Sequence, residues 1–199
     1  MSFHEILDPL TIIKTVGLLG VILVIFAESG LFFGFFLPGD SLLFTAGLLA
    51  SKGYLPISAL LVLCAIAAVL GDNVGYAFGK KTGPLLFSRE DSRFFHKRHL
   101  EKAHKFYEKY GKRTIIFARF IPIVRTFAPI VAGAVAMDYK TFFKYNLIGG
   151  LIWTWGILGL AYLLGNVVPG IENYLTTIVL CIIGLSFIPP IFEYIKRKI

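Results

Sequence analysis

Two arginines stand six residues apart inside an apolar run. Residues 117–129 read Phe-Ala-Arg-Phe-Ile-Pro-Ile-Val-Arg-Thr-Phe-Ala-Pro, so Arg119 and Arg125 are the charges and Pro122 and Pro129 the breaks. A guanidinium is a planar fork of N–H donors that matches a phosphate or a carboxylate. In hydrocarbon an arginine costs about 2.5–3.5 kcal/mol on insertion scales, so it faces protein or water. Two such forks suit an anionic phosphate headgroup. The plainer alternative is that both bond carbonyls freed at the prolines.

Three carboxylates occur in comparable surroundings. Glu28 directly follows the first apolar run, where it could be a snorkelling end charge. Asp40 follows Pro38-Gly39 and could simply cap the next helix. Asp72 sits in Gly71-x₃-Gly75-x₃-Gly79, a spacing that lets helices approach closely. It could pair with Arg119 or lie in a wet cytoplasmic vestibule. The histidines argue against enzyme chemistry, because His4, His96, His99 and His104 all fall outside the apolar spans. His96, His99 and Glu101 belong to a lysine-rich stretch that reads as a solvated face rather than a metal site. No catalytic residue, metal or cofactor is expected. Cys64 and Cys181 lie in apolar spans and read as small buried hydrophobes.

The elements that must position these residues are membrane helices. The chain of 199 residues is 56% hydrophobic and 16% charged, against about 25% charged in soluble domains. Its mean hydropathy is +0.75. An all-α integral membrane protein of one domain, 1–199, follows. The net charge of +8 is no nucleic-acid signal. Between Lys80 and Arg113 there are eleven Lys and Arg against four Asp and Glu, which is nearly the whole excess. By the positive-inside rule this loop and the Lys196-Arg197-Lys198 tail are cytoplasmic.

Residues 1–27 read as a short interfacial helix and a first span, Thr11 to Ala27. No cleavable signal is expected, since the run lacks an A-x-A-like site. Residues 28–79 read as a hairpin, Ser29 to Ala50, broken at Pro38-Gly39-Asp40, and then a span from Gly53 to Gly79. Residues 80–113 are the basic loop, with an amphipathic stretch near 93–110 suited to an anionic leaflet. Residues 114–168 repeat the plan, with a hairpin from Thr114 to Met137 and a span from Phe142 to Val168. Residues 173–199 hold the last span and tail. Each hairpin dips about half the ~30 Å hydrocarbon core. The charge rule makes them enter from opposite faces and puts both termini in the cytoplasm. Phe36-x-Pro38 and Phe120-x-Pro122, each followed by Ala-Gly, mark a weak internal repeat of inverted topology. About four full transmembrane helices and two opposed re-entrant hairpins result.

With these residues in place the chain resembles the DedA family, also described as SNARE-associated or VTT-domain membrane proteins. The matching pieces are Glu28, Phe36-x-Pro38-Gly39-Asp40, and Gly71-Asp72-x₂-Gly75-Tyr76-x₂-Gly79 with Gly83. They continue with Arg119-Phe120-x-Pro122-x₂-Arg125-x₃-Pro129-x₂-Ala132-Gly133. The resemblance implies a multi-pass protein of the bacterial cytoplasmic membrane. It implies a transporter of undecaprenyl phosphate or phospholipids, linked to the proton-motive force and to envelope integrity. It assigns the functional acidic and arginine pairs to Glu28, Asp40, Arg119 and Arg125. The leading expectation is thus a lipid flippase or scramblase that binds phosphate through Arg119 and Arg125. Glu28 and Asp40 would couple protons or pair with the arginines. Asp72, Pro38, Gly39, Pro122 and Pro129 would support them. A proton-coupled antiporter or small-solute exporter, and a non-transporting scaffold, are the alternatives.

Overall fold

Proline, glycine and the charged breaks divide the chain into helices of two lengths. A computed structural model describes residues 9–31, 34, 37–88, 113–174 and 177–178. All regular structure among them is helical. The long helices are α1 (Pro9–Gly30), α3 (Ile57–Ser88) and α6 (Tyr139–Val167). The shorter ones are α2 (Gly39–Ser51), α4 (Thr114–Ala118) and α5 (Pro122–Ala134), and a 3₁₀ turn covers Ile171–Tyr174. Residues 1–8 of the interfacial helix expected over 1–10, the amphipathic part of the basic loop, Cys181, the basic tail and nearly all of the last span lie outside the described residues.

Two stretches are long and apolar enough to cross a membrane, Ile57–Gly83 and Tyr139–Val167. Their outward faces are apolar. Val62, Ile66, Leu70, Val74 and Phe78 are exposed on α3, and Leu160, Leu163 and Val167 on α6. The buried set instead includes Glu28, Asp72, Arg119, Arg125, Asn146 and Thr154. This inverts the pattern of a water-soluble helix and fits hydrocarbon surroundings. By contrast α2 and α5 have 13 residues each, about 20 Å of rise, too short for the core.

Several boundaries differ from the sequence reading, each for a local reason. The first span is not one straight helix, because Gly17 is non-helical at φ 56° and ψ −148°. Left-handed backbone costs glycine little. The helix also runs past Glu28 to Gly30, so Glu28 is a buried helical residue and not an interfacial end charge. Beyond it the chain does not continue as a descending helix. The Leu31 N–H donates to the Ala27 carbonyl at 2.9 Å, Gly34 N–H to Leu31 at 2.8 Å and Leu37 N–H to Gly34 at 2.9 Å. The last two are i→i+3 bonds, tighter than the α-helical i→i+4 pattern. Helix α3 passes through Lys80-Lys81 to Ser88, so the first part of the expected basic loop is helical. In the second hairpin the break falls at Arg119–Ile121, and Pro122 takes the first helical turn, where its missing N–H is harmless. Pro129, expected as a second break, lies inside α5. Helix α6 begins at Tyr139 because Asp138 caps it, accepting from the Thr141 N–H at 2.9 Å. That bond holds the Asp138 carboxyl below the usual carboxylate range. Asn173, expected to open the last span, lies in the 3₁₀ turn.

Residue contacts fix the direction of each helix. Tyr76 stacks on Phe142, the Asn146 side chain donates to the Val69 carbonyl, and the Trp155 indole donates to the Leu61 carbonyl. So α3 and α6 are antiparallel. Gly75 lies against Pro129, Gly79 against Ile130 and Gly83 against Ala134, so α5 runs parallel to α3. Gly47 lies against Leu158 and Ala161, and Gly165 against Leu48 and Ser51, so α2 runs parallel to α6. The half-length helices α2 and α5 therefore point in opposite directions, each along the long helix of the other half. One apolar cluster joins Ile25, Leu42, Leu60, Cys64, Ala68 and Leu158, and another joins Tyr76, Ile115, Ala132 and Phe142. Asp72 lies on α3 between them.

At Gly79 and Gly133 the α3–α5 seam tolerates nothing larger than hydrogen. A Cβ on Gly79 would fall 1.9 Å from the Ile130 carbonyl oxygen, and one on Gly133 would fall 2.0 Å from that of Tyr76. Gly156 meets nothing within 4 Å. Gly79→Val and Gly133→Val should each cost about 1–3 kcal/mol or more by overpacking. Gly156→Ala should be neutral or slightly stabilising. Thermal denaturation of detergent-solubilised protein measures this, and equal melting temperatures for all three variants would refute the seam.

Candidate functional site

The charged residues singled out in the sequence meet where α2 and α5 begin. Pro122 starts α5, which puts Arg125 one turn inside that helix with its N–H bonded to the Ile121 carbonyl at 2.8 Å. Its Nη1 donates to Asp40 Oδ1 at 2.9 Å and its Nη2 to Glu28 Oε1. One guanidinium thus ties together the end of α1, the start of α2 and the start of α5. Gly39 makes room for this. A Cβ there would fall 1.3 Å from Glu28 Oε2, so the carboxylate lies on bare backbone at the N-terminus of α2. That is the positive end of the helix dipole, which favours an anion.

Arg119 occupies the break between α4 and α5. Its Nη2 donates to Asp72 Oδ2 at 2.5 Å and to Asn146 Oδ1, and lies 3.5 Å from the Ala68 carbonyl. Gly149 and Gly150 on α6 leave space for its stem and head. A Cβ on Gly149 would fall 3.1 Å from Arg119 Cδ, and one on Gly150 would fall 3.6 Å from Cζ.

The two arginines are therefore in two ion-pair clusters rather than one shared carboxylate site. Trp153, buried on α6, lies between them. Its indole N–H donates to Asp40 Oδ1 at 2.8 Å, and its ring centroid is 4.7 Å from Arg125 Cζ and 6.0 Å from Arg119 Cζ. Both distances fall within the usual cation–π range.

The simpler roles weighed from sequence fare differently. The α2 N-cap is Pro38, with no side-chain capping bond, and the Asp40 carboxyl turns instead to Arg125 and Trp153. Arg119 approaches the Ala68 carbonyl, and the two arginines otherwise bond the carboxylates of Asp72, Asp40 and Glu28 and the amide of Asn146. Asp72 pairs with Arg119 and is buried, so it is not in a wet vestibule. Pro129 lies against Gly75.

Sequence reasoning missed two residues. Asn146 is a polar residue within an apolar span, which is itself a signal. Trp153 lies near the middle of α6, away from the membrane interfaces where tryptophan is usual.

Electrostatics sets the character of the site. Five charged side chains converge, three carboxylates and two guanidiniums, and only Asp40 is appreciably exposed, at 24% of its side chain. Fully ionised, the group carries one surplus negative charge in a poorly solvated place. Glu28 Oε2, Asp72 Oδ1 and both arginine Nε atoms are buried without a protein partner. Breaking a buried pair by removing one partner costs about 3–5 kcal/mol, because it strands the other charge. Asp72→Ala should therefore lower the melting temperature strongly. Adding Arg119→Met to it should recover part of the loss. Strictly additive losses in that double-mutant cycle would show that Asp72 and Arg119 are not coupled.

The VTT domain family matches residues 37–163. Protein DedA of Escherichia coli K12 is 46% identical over 178 residues, covering 88% of this chain and 81% of that protein. An uncharacterised membrane protein of Mycobacterium leprae is 45% identical over 168 residues, covering 84% and 75%. The inner membrane protein YqjA of Escherichia coli K12 is 31% identical over 193 residues, covering 96% and 86%. No solved structure matches. Family match, long apolar helices and buried charged centre converge: this chain is a membrane protein and belongs to the DedA family of VTT-domain proteins.

Proposed function

We propose that this protein is a non-enzymatic lipid transporter of the cytoplasmic membrane. It moves a phosphate-bearing headgroup, that of undecaprenyl phosphate or a phospholipid, through the centre where α2 and α5 begin. One observation carries this reading. Arg125, the donor best matched to phosphate, is held by Glu28 and Asp40 at the shared start of two oppositely directed half-length helices. Transporters with inverted repeats use broken helices in this way to build a midplane site. In this reading the half-length helices are the returning limbs of two re-entrant hairpins. The basic loop and both termini are cytoplasmic, and about four full spans surround the hairpins.

Proton coupling follows from the surplus carboxylate. A phosphate entering beside Arg125 competes with Asp40 and Glu28 for the same N–H donors. The displaced carboxylate loses its counter-charge in a dry site and takes up a proton. Substrate binding then strengthens as pH falls; a polyprenyl phosphate, a monoester, itself protonates near pH 6 and limits the gain, whereas the diester of a phospholipid does not. Arg119 contributes phosphate binding only if Asp72 and Asn146 release it, so Arg125 is the primary contact. The surplus carboxylate also favours a second reading, an antiporter in which a proton exchanges for a small solute.

Reconstitution with labelled polyprenyl phosphate, labelled phospholipids and test ions separates the two. Arg125→Lys keeps the charge but loses the fork, and should reduce lipid movement at least about tenfold, the scale of one hydrogen bond to a charged group. Asp40→Asn should flatten the pH dependence of binding between about pH 5 and 8 while leaving binding itself. Equal pH slopes in wild type, Asp40→Asn and Glu28→Gln would remove both carboxylates from the coupling. Topology is checked with single cysteines and an impermeant thiol reagent on intact cells. Positions 52 and 172 should label and position 100 should not, and external labelling at 100 would refute the inverted arrangement.

A further inference from the structure

Asp40, Arg125 and Trp153 form a closed triangle in which each side chain touches the other two. Asp40 Oδ1 accepts from Arg125 Nη1 at 2.9 Å and from the Trp153 indole at 2.8 Å. The Trp153 ring lies 4.7 Å from the Arg125 guanidinium carbon. The three come from α2, α5 and α6, so no element carries two of them. Trp153 is 2% exposed, while Asp40 is the partly open corner at 24%.

We infer that Trp153 is a positioning residue that holds Asp40 and Arg125 in place when their mutual ion pair is broken by a ligand. This rests on the proposed phosphate site at Arg125. When a phosphate takes the fork, Asp40 loses the Arg125 bond but keeps the indole N–H. Arg125 loses the carboxylate but keeps the aromatic face, which attracts a cation without consuming its donors. The triangle therefore opens along one side only, and the ion pair re-forms without a search when the ligand leaves. An aliphatic residue of the same volume would fill the space and do neither. Tyrosine or phenylalanine would supply the face but could not place an N–H on Oδ1. Of the nearby charges, Asp72 on α3 and Arg119 before α5 stay paired with each other, the ring approaching Arg119 to 6.0 Å, while Glu28 on α1 is bonded to Arg125 Nη2 and meets the same ligand.

Two arms test this, and only one needs transport. In the first, Trp155→Phe leaves Trp153 as the single tryptophan. Trp155 is half-exposed and its indole bonds the Leu61 carbonyl, away from the charged groups, so this change should spare function. The emission of Trp153 in lipid-free protein should move when Asp40→Asn or Arg125→Gln is added. Identical emission in all three proteins would overturn the triangle, whatever the substrate. In the second, proteoliposomes of phosphatidylethanolamine and phosphatidylglycerol carry a fluorescent polyprenyl phosphate or a fluorescent phosphatidylglycerol. Trp153→Phe, normalised to folded protein, should lower the maximal rate about tenfold and change half-saturation less than about threefold. Trp153→Leu should worsen both. Unchanged rates in Trp153→Phe would reduce Trp153 to a core filler and overturn the inference. If wild type moves neither lipid, the transport reading fails, and the emission arm alone decides the role of Trp153.

Discussion

One guanidinium holds the centre of this protein together. Arg125 bonds Glu28 and Asp40 at once, and in doing so fastens the end of α1 and the start of α2 to the start of α5. Helix starts carry unbonded N–H groups and helix ends unbonded carbonyls. Bringing such ends together inside a membrane is costly unless charged or polar side chains meet them. Glu28 lies near the carbonyl end of α1 with one oxygen against the N-terminus of α2. Its charge therefore suits the second helix and opposes the first. Arg125 offsets that opposition. Remove the arginine and two carboxylates remain together in a dry place, and the helix ends have no reason to stay joined.

The long helices exist to make this junction possible. Their outer faces are given over to hydrocarbon, which leaves only narrow inner faces for packing. Glycine compensates by letting backbones touch. Gly71 meets Gly30 and Phe26 where α3 crosses α1, and Gly79 and Gly133 bring α3 and α5 into backbone contact. Close seams keep the charged groups buried, and burial makes each ion pair strong and each unpaired charge expensive. The small residues and the charged ones are therefore two halves of one constraint. Neither is useful without the other.

Much of this was legible in the sequence because hydrocarbon permits few exceptions. A charge inside an apolar run must be paired or solvated, so Glu28, Asp40, Asp72, Arg119 and Arg125 stood out before any geometry was known. The breaks at Pro38-Gly39 and before Pro122 were also readable. What stayed open was the pairing: Asp72 could take Arg119 or lie in a wet vestibule, and Glu28 and Asp40 could take either arginine. Sequence offers no distance between residues 72 and 119, and it could not say that Asp72 would take Arg119 and leave Glu28 and Asp40 to share Arg125. Pro129 misled because proline predicts a break where local strain dominates. Here α5 continues through it, packed on Gly75. Gly17 was silent because a glycine in an apolar helix usually signals packing, whereas this one adopts a left-handed conformation. Trp153 was hidden by its type, since nothing in a tryptophan codon distinguishes a ring facing lipid from one facing two guanidiniums.

The two clusters differ in how readily they can change. Arg119 is enclosed by Asp72 on α3, Asn146 on α6 and the Ala68 carbonyl, with neither partner carboxylate nor amide open to the surroundings. It joins the two antiparallel long helices, which have no break to flex at. Arg125 joins three helix ends, and one of its partners, Asp40, is partly exposed. Separating Asp40 from Arg125 requires movement of a helix start rather than of a whole span. The energetic asymmetry follows. The Arg119 cluster is buried throughout, whereas the Arg125 cluster has one partly open corner at Asp40.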